Sequence, residues 1–142
     1  MKVLVTGTST GIGRGIAEKF LAEGHTVIGL DVAESTIAHE NYAHYIADVA
    51  CPEQLPAVEG VEILINNAGV QDSGRDIDVN LRGTIYCTEK YGIQPNIKSI
   101  VMTASVSAHN GAEFPEYCAS KGGVLAYTKN VALPATAFLL AG

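Results

Sequence analysis

The sequence contains no tryptophan, three phenylalanines and six tyrosines, and it is poor in positive charge. Nine Lys and Arg stand against 15 Asp and Glu, a net charge of −6. Non-specific nucleic-acid binding needs clustered cations on phosphates, so no nucleic-acid partner is expected. Cysteine is scarce as well. Cys51, Cys87 and Cys118 are odd in number and scattered, which fits neither a disulfide framework nor a zinc site. His25, His39, His44 and His109 lack ligand spacing, so they read as surface or packing residues and no metal is expected. No apolar run approaches the ~18 residues of a transmembrane span. The N-terminus enters a strand pattern without the charged, apolar and small-residue succession of a signal peptide. The expectations are no membrane association and a cytoplasmic location.

What is present is globular: 47% hydrophobic and 17% charged residues over 142 positions. That length fits one domain burying roughly two thirds of its unfolded surface. Short apolar, β-branched runs alternate with helical patterns. Lys2–Thr6, Thr26–Asp31, His44–Val49, Glu62–Asn66 and Ser99–Ala104 read as strands. Ile12, Ile16 and Phe20, with Ala17 and Leu21, mark one face of a helix, and Gly24 is a candidate C-cap. A short helix follows Pro52, a longer one runs from Ile77 to near Gly92, and a last one from Pro115 to Leu133, where Pro134 interrupts it. Nearly all-apolar strands are buried on both faces, so the sheet is expected to be parallel with helices on either side. The fold class is a Rossmann-type, doubly wound α/β domain.

Thr6-Gly7-Thr8-Ser9-Thr10-Gly11-Ile12-Gly13 leaves the first strand and opens the first helix. Glycines allow a tight turn and close approach to a pyrophosphate, whose charge meets the helix N–H groups and dipole. Gly13 permits close packing of helix on strand. The spacing departs from G-x-G-x-x-G, so the argument rests on the flanking strand and helix rather than on the glycines alone. Asp31 ends the second strand, near the ~20-residue offset at which a carboxylate holds the adenosine ribose hydroxyls. A bland alternative for Asp31 is a strand-end turn former. Its charge would repel a 2′-phosphate and Val32, not an arginine, follows it, which favours NAD over NADP.

Tyr117-Cys118-Ala119-Ser120-Lys121 places a phenol and an ammonium four residues apart on one helix face. A free phenol has a pKa near 10, too high for proton exchange at neutral pH, and a nearby ammonium lowers it. Tyr117 is thereby a candidate general acid/base. Ser105 ends the fifth strand at the carboxyl edge, where ligands bind in open α/β sheets, and can donate to a carbonyl oxygen as charge develops. Against this stands the reading of Tyr117 and Lys121 as a solvated helix face.

Taken together, these pieces resemble the short-chain dehydrogenase/reductase family, classical type. They stand in family order: Thr6-Gly7-x-x-x-Gly11-Ile12-Gly13, Asp31, Asp48-Val49, Asn66-Asn67-Ala68-Gly69, Asn80, Ser105 and Tyr117-x-x-x-Lys121, spread over Lys2–Leu133. The resemblance implies hydride transfer between NAD(H) and a secondary alcohol or ketone. It implies that Gly7, Ser9, Thr10, Gly11, Ile12 and Gly13 hold the cofactor with Asp31. Asp48 and Val49 would contact the adenine, and Asn67, Ala68 and Gly69 would line the cleft. Asn66 would stabilise the sheet. Asn80 would hold a water of the proton relay, Ser105 would polarise the carbonyl, with Ser107 as the alternative, and Lys121 would also bind the nicotinamide ribose. Without its neighbours, Asn80 would read as an exposed helix residue. The family forms dimers or tetramers through the helices carrying Asn80 and Tyr117, and Cys118, Gly122, Val124 and Leu125 are compatible with either an interface or a core.

The usual strand order, 3-2-1-4-5-6, needs six strands, and five are found. Ala137–Leu140 resembles the apolar helix that precedes the family's last strand, so residues after about 134 are expected to join a much later segment. The chain is accordingly read as one NAD-binding domain over 1–142, C-terminally incomplete, with Val106–Pro115 lining the substrate pocket through His109, Asn110 and Phe114. Two alternatives remain: a catalytically inactive NAD-binding or oligomerisation module, and a non-redox use such as sugar epimerisation, against which the Gly7-x-x-x-Gly11 spacing argues.

Overall fold

The computed structural model describes residues 1–133. Five parallel strands form one sheet in the order β3-β2-β1-β4-β5. Their ranges are β1 Lys2–Thr6, β2 Thr26–Asp31, β3 Tyr42–Ile46, β4 Ile63–Asn66 and β5 Ser99–Met102. Helix α1 (Gly11–Ala22) returns the chain from β1 to β2 and buries Ala17 and Leu21 on Val3, Val5, Val27 and Ile65. The opposite face of the sheet presents Leu4, Ile28, Leu30 and Leu64 to Val79, Cys87 and Tyr91. Those three residues come from a π-helical stretch, Ile77–Arg82, and from α2 (Gly83–Tyr91), which continues it. A four-residue helix α3 (Ser107–Asn110) and the long α4 (Pro115–Val131) complete the described chain, with α4 packed on the π-helical stretch and on α3.

The alternation of strand and helix thus builds the doubly wound sheet that the sequence pattern implies, and the structure corrects its edges. Strand β3 begins and ends earlier than His44–Val49, because its partner β2 runs out at Asp31, paired with Ile46. Ala47 makes one last bond to the Asp31 carbonyl, 2.9 Å, and the chain then turns away. Strand β5 stops at Met102 for the same reason: β4 ends at Asn66, its partner in register. Ser105 therefore lies in the loop beyond the strand. Burial on both faces holds for β1, β2 and β4, whereas the outer strands β3 and β5 are partly exposed.

The helix expected after Pro52 is one 3₁₀ turn, Pro52–Gln54. The β3–β4 crossover instead seals the core with Leu55, Val58 and Val61. It is fastened by Tyr91 Oη donating to the Pro56 carbonyl (2.7 Å) and by Gln94, which donates to the Val58 carbonyl (2.7 Å) and accepts from Val61 N (3.0 Å). No described helix is long and apolar enough to cross a membrane, and the cysteines are free thiols. The expected helix at Ala137–Leu140 lies outside the described residues.

Candidate active site

At the carboxyl end of β1, the turn into α1 has Gly7 at φ +78° and Gly11 at φ +58°, conformations that a side chain would strain. Nothing would meet a Cβ at Gly11, so the backbone there is open to a ligand. Thr6 Oγ1 accepts from the backbone N–H of Asn67 (3.0 Å) and of Ala68 (2.9 Å), and Asn67 Nδ2 donates back to the Thr6 carbonyl, 3.1 Å. These bonds tie the ends of β1 and β4 into one wall. A cleft of about 520 Å³ runs along it, lined by Gly7, Thr10, Gly11, Ile12, Asp31, Asp48, Val49, Asn67, Ala68 and Gly69 among the expected residues. Ser9 and Gly13 stand behind the wall. Ser9 is buried, and its hydroxyl donates to the Glu34 carbonyl at 2.8 Å.

The acidic residues of the cleft are held in place. Asp31 Oδ2 accepts from Ser9 N and Oδ1 from Ala33 N, each at 2.9 Å. Asp48 Oδ1 accepts from Ala50 N (2.9 Å) and Oδ2 from Arg75 Nη2 (2.7 Å). Burial acts to raise the Asp48 pKa, but the Ala50 N–H and the Arg75 guanidinium outweigh it and hold the carboxyl below the usual range. Arg75, which also lines the cleft, is a residue the sequence reading missed. It sits in a loop, in no motif, and nothing in its spacing marks it.

The other half of the site gathers where the β4 and β5 loops meet α4. Asn80 is 1% exposed, which overturns the reading of an exposed helix residue. Its Oδ1 accepts from Val70 N (2.7 Å), and its Nδ2 donates to the Val70 carbonyl (2.8 Å) and to Ser120 Oγ (3.0 Å). The π-helical geometry at this residue is a local cost of the kind that clusters at functional sites. Lys121 is 5% exposed and not part of a solvated face. Its Nζ donates to the Thr103 carbonyl at 2.9 Å and lies 5.8 Å from the Tyr117 ring centroid. Burial lowers its pKa below the ordinary lysine value. A Cβ on Gly69 would stand 3.5 Å from this Nζ and 3.2 Å from Asn80 Oδ1, so the amine adjoins the end of the cleft. Ser105, half-buried, accepts from Ser107 N at 3.3 Å. Ser107 is buried with its hydroxyl unpartnered. Of the residues suggested for an interface, Val124 is buried within the chain.

Residues 1–137 match the short chain dehydrogenase family. The chain belongs to that family. Short-chain dehydrogenases bind a nicotinamide cofactor, and the open, glycine-lined cleft fits one. The chain is 32% identical to an uncharacterised oxidoreductase of Schizosaccharomyces pombe, across 92% of this chain and 60% of that protein. It is 30% identical to the NAD(+)-dependent 2-dehydro-3-deoxy-L-rhamnonate dehydrogenase of a Sphingomonas species, across 90% of this chain and 63% of the relative. Among solved structures, aldohexose dehydrogenase of Thermoplasma acidophilum superposes with a TM-score of 0.78 at 34% identity, covering 92% of this chain and 60% of that one. A 3-oxoacyl-[acyl-carrier protein] reductase of Brucella melitensis in complex with NAD gives 0.81 at 29% identity, covering 92% and 66%. This short-chain dehydrogenase sequence thus spans about three fifths of the length of such relatives.

Proposed function

We propose that this chain carries the cofactor and proton-transfer machinery for hydride transfer between NAD(H) and a secondary alcohol or ketone. The observation that carries the reading is the place of Lys121: a buried ammonium between the Tyr117 ring and the Gly69 end of the cleft. Gly7, Thr10, Gly11 and Ile12 would hold the pyrophosphate, Asp31 the adenosine ribose, Asp48 and Val49 the adenine, and Asn67, Ala68 and Gly69 the nicotinamide half, with Ser9 and Gly13 supporting the turn from behind. When bound, the nicotinamide supplies the site of hydride gain or loss. The chain's own residues manage the proton. Tyr117 exchanges it with the substrate oxygen, and Ser105 donates a hydrogen bond to that oxygen as its charge grows. Lys121 stabilises the Tyr117 phenolate and reaches the nicotinamide ribose. Burial disfavours the Lys121 charge. Asn80 braces the loop that carries Gly69 and Val70 against α4 and stands behind Lys121 in the relay. Ser105 is preferred over Ser107, because the buried Ser107 hydroxyl is out of reach of a substrate.

NAD is favoured over NADP by the Asp31 carboxylate and by Val32 beside it. The relative named for NAD(+) and the neighbour holding NAD support that choice. The exposed Val106, His109, Asn110 and Phe114 would form one wall of the substrate pocket, and α2 and α4 would form the contact of a homodimer or homotetramer. Replacing Tyr117 with Phe tests the mechanism. Reduction of a ketone panel by NADH should slow by about 10²–10⁴-fold while NADH binding persists, and undiminished turnover would sink the assignment. A second reading is dinucleotide binding without turnover, distinguished by NADH binding with no reduction of the ketone panel.

A further inference from the structure

His44 belongs to no motif and takes no part in the chemistry above, yet it closes a hydrogen-bonded chain that ends on Asp31. Its Nε2 lies 2.9 Å from the Ala33 carbonyl and its Nδ1 lies 2.7 Å from Tyr42 Oη. A carbonyl only accepts, so Nε2 carries the hydrogen. In the neutral imidazole Nδ1 is then bare and accepts from the Tyr42 hydroxyl. Tyr42 Oη in turn accepts from Thr8 Oγ1, 2.8 Å away and fully buried. The direction of every bond from Thr8 to Ala33 follows. Burial pushes the Tyr42 phenol up, which keeps it a donor. The chain is also built into the sheet: His44 pairs in register with Gly29, and a Cβ at Gly29 would collide with the Tyr42 hydroxyl.

Ala33 is the hinge of the arrangement. Its N–H holds Asp31 Oδ1 at 2.9 Å. Its carbonyl has two neighbours, His44 Nε2 at 2.9 Å and Ser9 Oγ at 3.3 Å. A hydroxyl has one hydrogen, and Ser9 spends it on the closer Glu34 carbonyl, 2.8 Å away. His44 is therefore the main donor to Ala33.

We infer that His44 is a positioning residue for dinucleotide selectivity: by gripping the Ala33 carbonyl it fixes the Ala33 N–H on Asp31, and so holds the carboxylate that reads a ribose diol against a 2′-phosphate. This rests on the proposed reading of the cleft as a nicotinamide-dinucleotide site with Asp31 at the ribose. Loosening the Asp31 carboxylate weakens its bonds to the diol and relaxes its repulsion of a phosphate, so the two cofactors respond in opposite directions. A general loss of packing would move both the same way.

The test is fluorescence titration of the chain with NADH and with NADPH, for wild type, His44→Ala, His44→Gln and Tyr42→Phe. His44→Ala should weaken NADH by about fivefold, on the scale of one hydrogen bond, and leave NADPH unchanged or tighter. His44→Gln, whose amide N–H can donate to Ala33, should restore most of the preference. Tyr42→Phe should lose less, and ¹⁵N spectra should show the Nε2–H tautomer of His44 in wild type giving way to a mixture in that variant. Equal weakening of both cofactors, an unchanged ratio, failure of His44→Gln to rescue, or an Nδ1–H tautomer in wild type would each overturn the inference. A wild-type chain that binds neither dinucleotide would instead overturn the reading of the cleft, and this inference with it.

Discussion

At the scale of single residues, charge does its work here because backbone N–H groups hold it still. Asp31 has one such donor on each oxygen and still faces the cleft. Asp31→Ala should therefore cut the preference for NADH over NADPH by tenfold or more, since apposed like charges cost several kcal/mol; an unchanged ratio of the two dissociation constants would refute the ribose role. Asp76 is a second example, with a different purpose. It accepts from Asp72 N, Ser73 N and Ser73 Oγ at 2.9, 3.1 and 2.7 Å, and so fixes the loop in which Asp72 adopts φ +51°. Burial acts to raise its pKa, but the Ser73 and Asp72 bonds prevail and bring it below the ordinary 3.8. A depressed carboxyl stabilises the fold above its unfolded pKa and loses that contribution as pH falls through the folded value. The stability gap between wild type and Asp76→Asn, measured by urea unfolding, should accordingly shrink as pH drops from about 5 to about 3. Asp31 was legible in the sequence because its offset from the glycine turn is set by one strand–helix–strand unit. Arg75 and His44 were not, because what brings them to the site is the folding back of the 70–76 and 33–36 loops, which no local spacing encodes.

At the scale of elements, the first β–α unit depends on the absence of a side chain. A Cβ on Gly13 would run into the Gly7 carbonyl and Asn67 Nδ2, the two groups that close the turn onto the end of β4. Gly13→Ala should cost about 1–3 kcal/mol through the forced shift of α1, less the ~0.5–1 kcal/mol that alanine returns as a helix former. The denaturation midpoint should fall, and NADH binding should weaken with it, because the displaced strip is the turn proposed to hold the pyrophosphate. A fully stable variant with normal binding would contradict the close packing. The periodicity that revealed α1 comes from an apolar stripe facing the sheet, and such a stripe is visible locally. The boundaries of β3 and β5 are not, since each ends where its neighbour ends. Nor does the register of hydrophobic residues distinguish an α-helix from the π-helical turn at Ile77–Arg82. Within that turn Asn80 bonds Val70 and Ser120 at once. The β3–β4 crossover shows the same limit: Leu55, Val58 and Val61 do a helix's burial without a helix, clasped by Tyr91 and Gln94 on the same face of the sheet.

At the scale of the whole molecule, the two halves of the site stand on different footings. The cleft is built from the ends of β1, β2, β3 and β4 and the segments after them, with Val79 from the π-helical stretch, and is tied together by the Thr6, Asn67, Asp31 and Ala47 bonds. The proposed substrate wall lies, among the described residues, in 103–114 with α3, beside the outer strand β5. Binding and turnover should therefore separate. NADH at about 100 times its dissociation constant should stabilise the chain by about 2.7 kcal/mol, which for a protein of this size raises the melting temperature by roughly 5–10 °C. Turnover of the ketone panel depends on the placement of the 103–114 segment as well, since misplacement of about 1 Å costs on the order of 100-fold. A thermal shift without turnover would favour the dinucleotide-binding reading. Turnover abolished by Tyr117→Phe would favour the enzyme reading instead. The absence of any shift with either dinucleotide would remove the cleft from both readings, since neither survives without a bound cofactor.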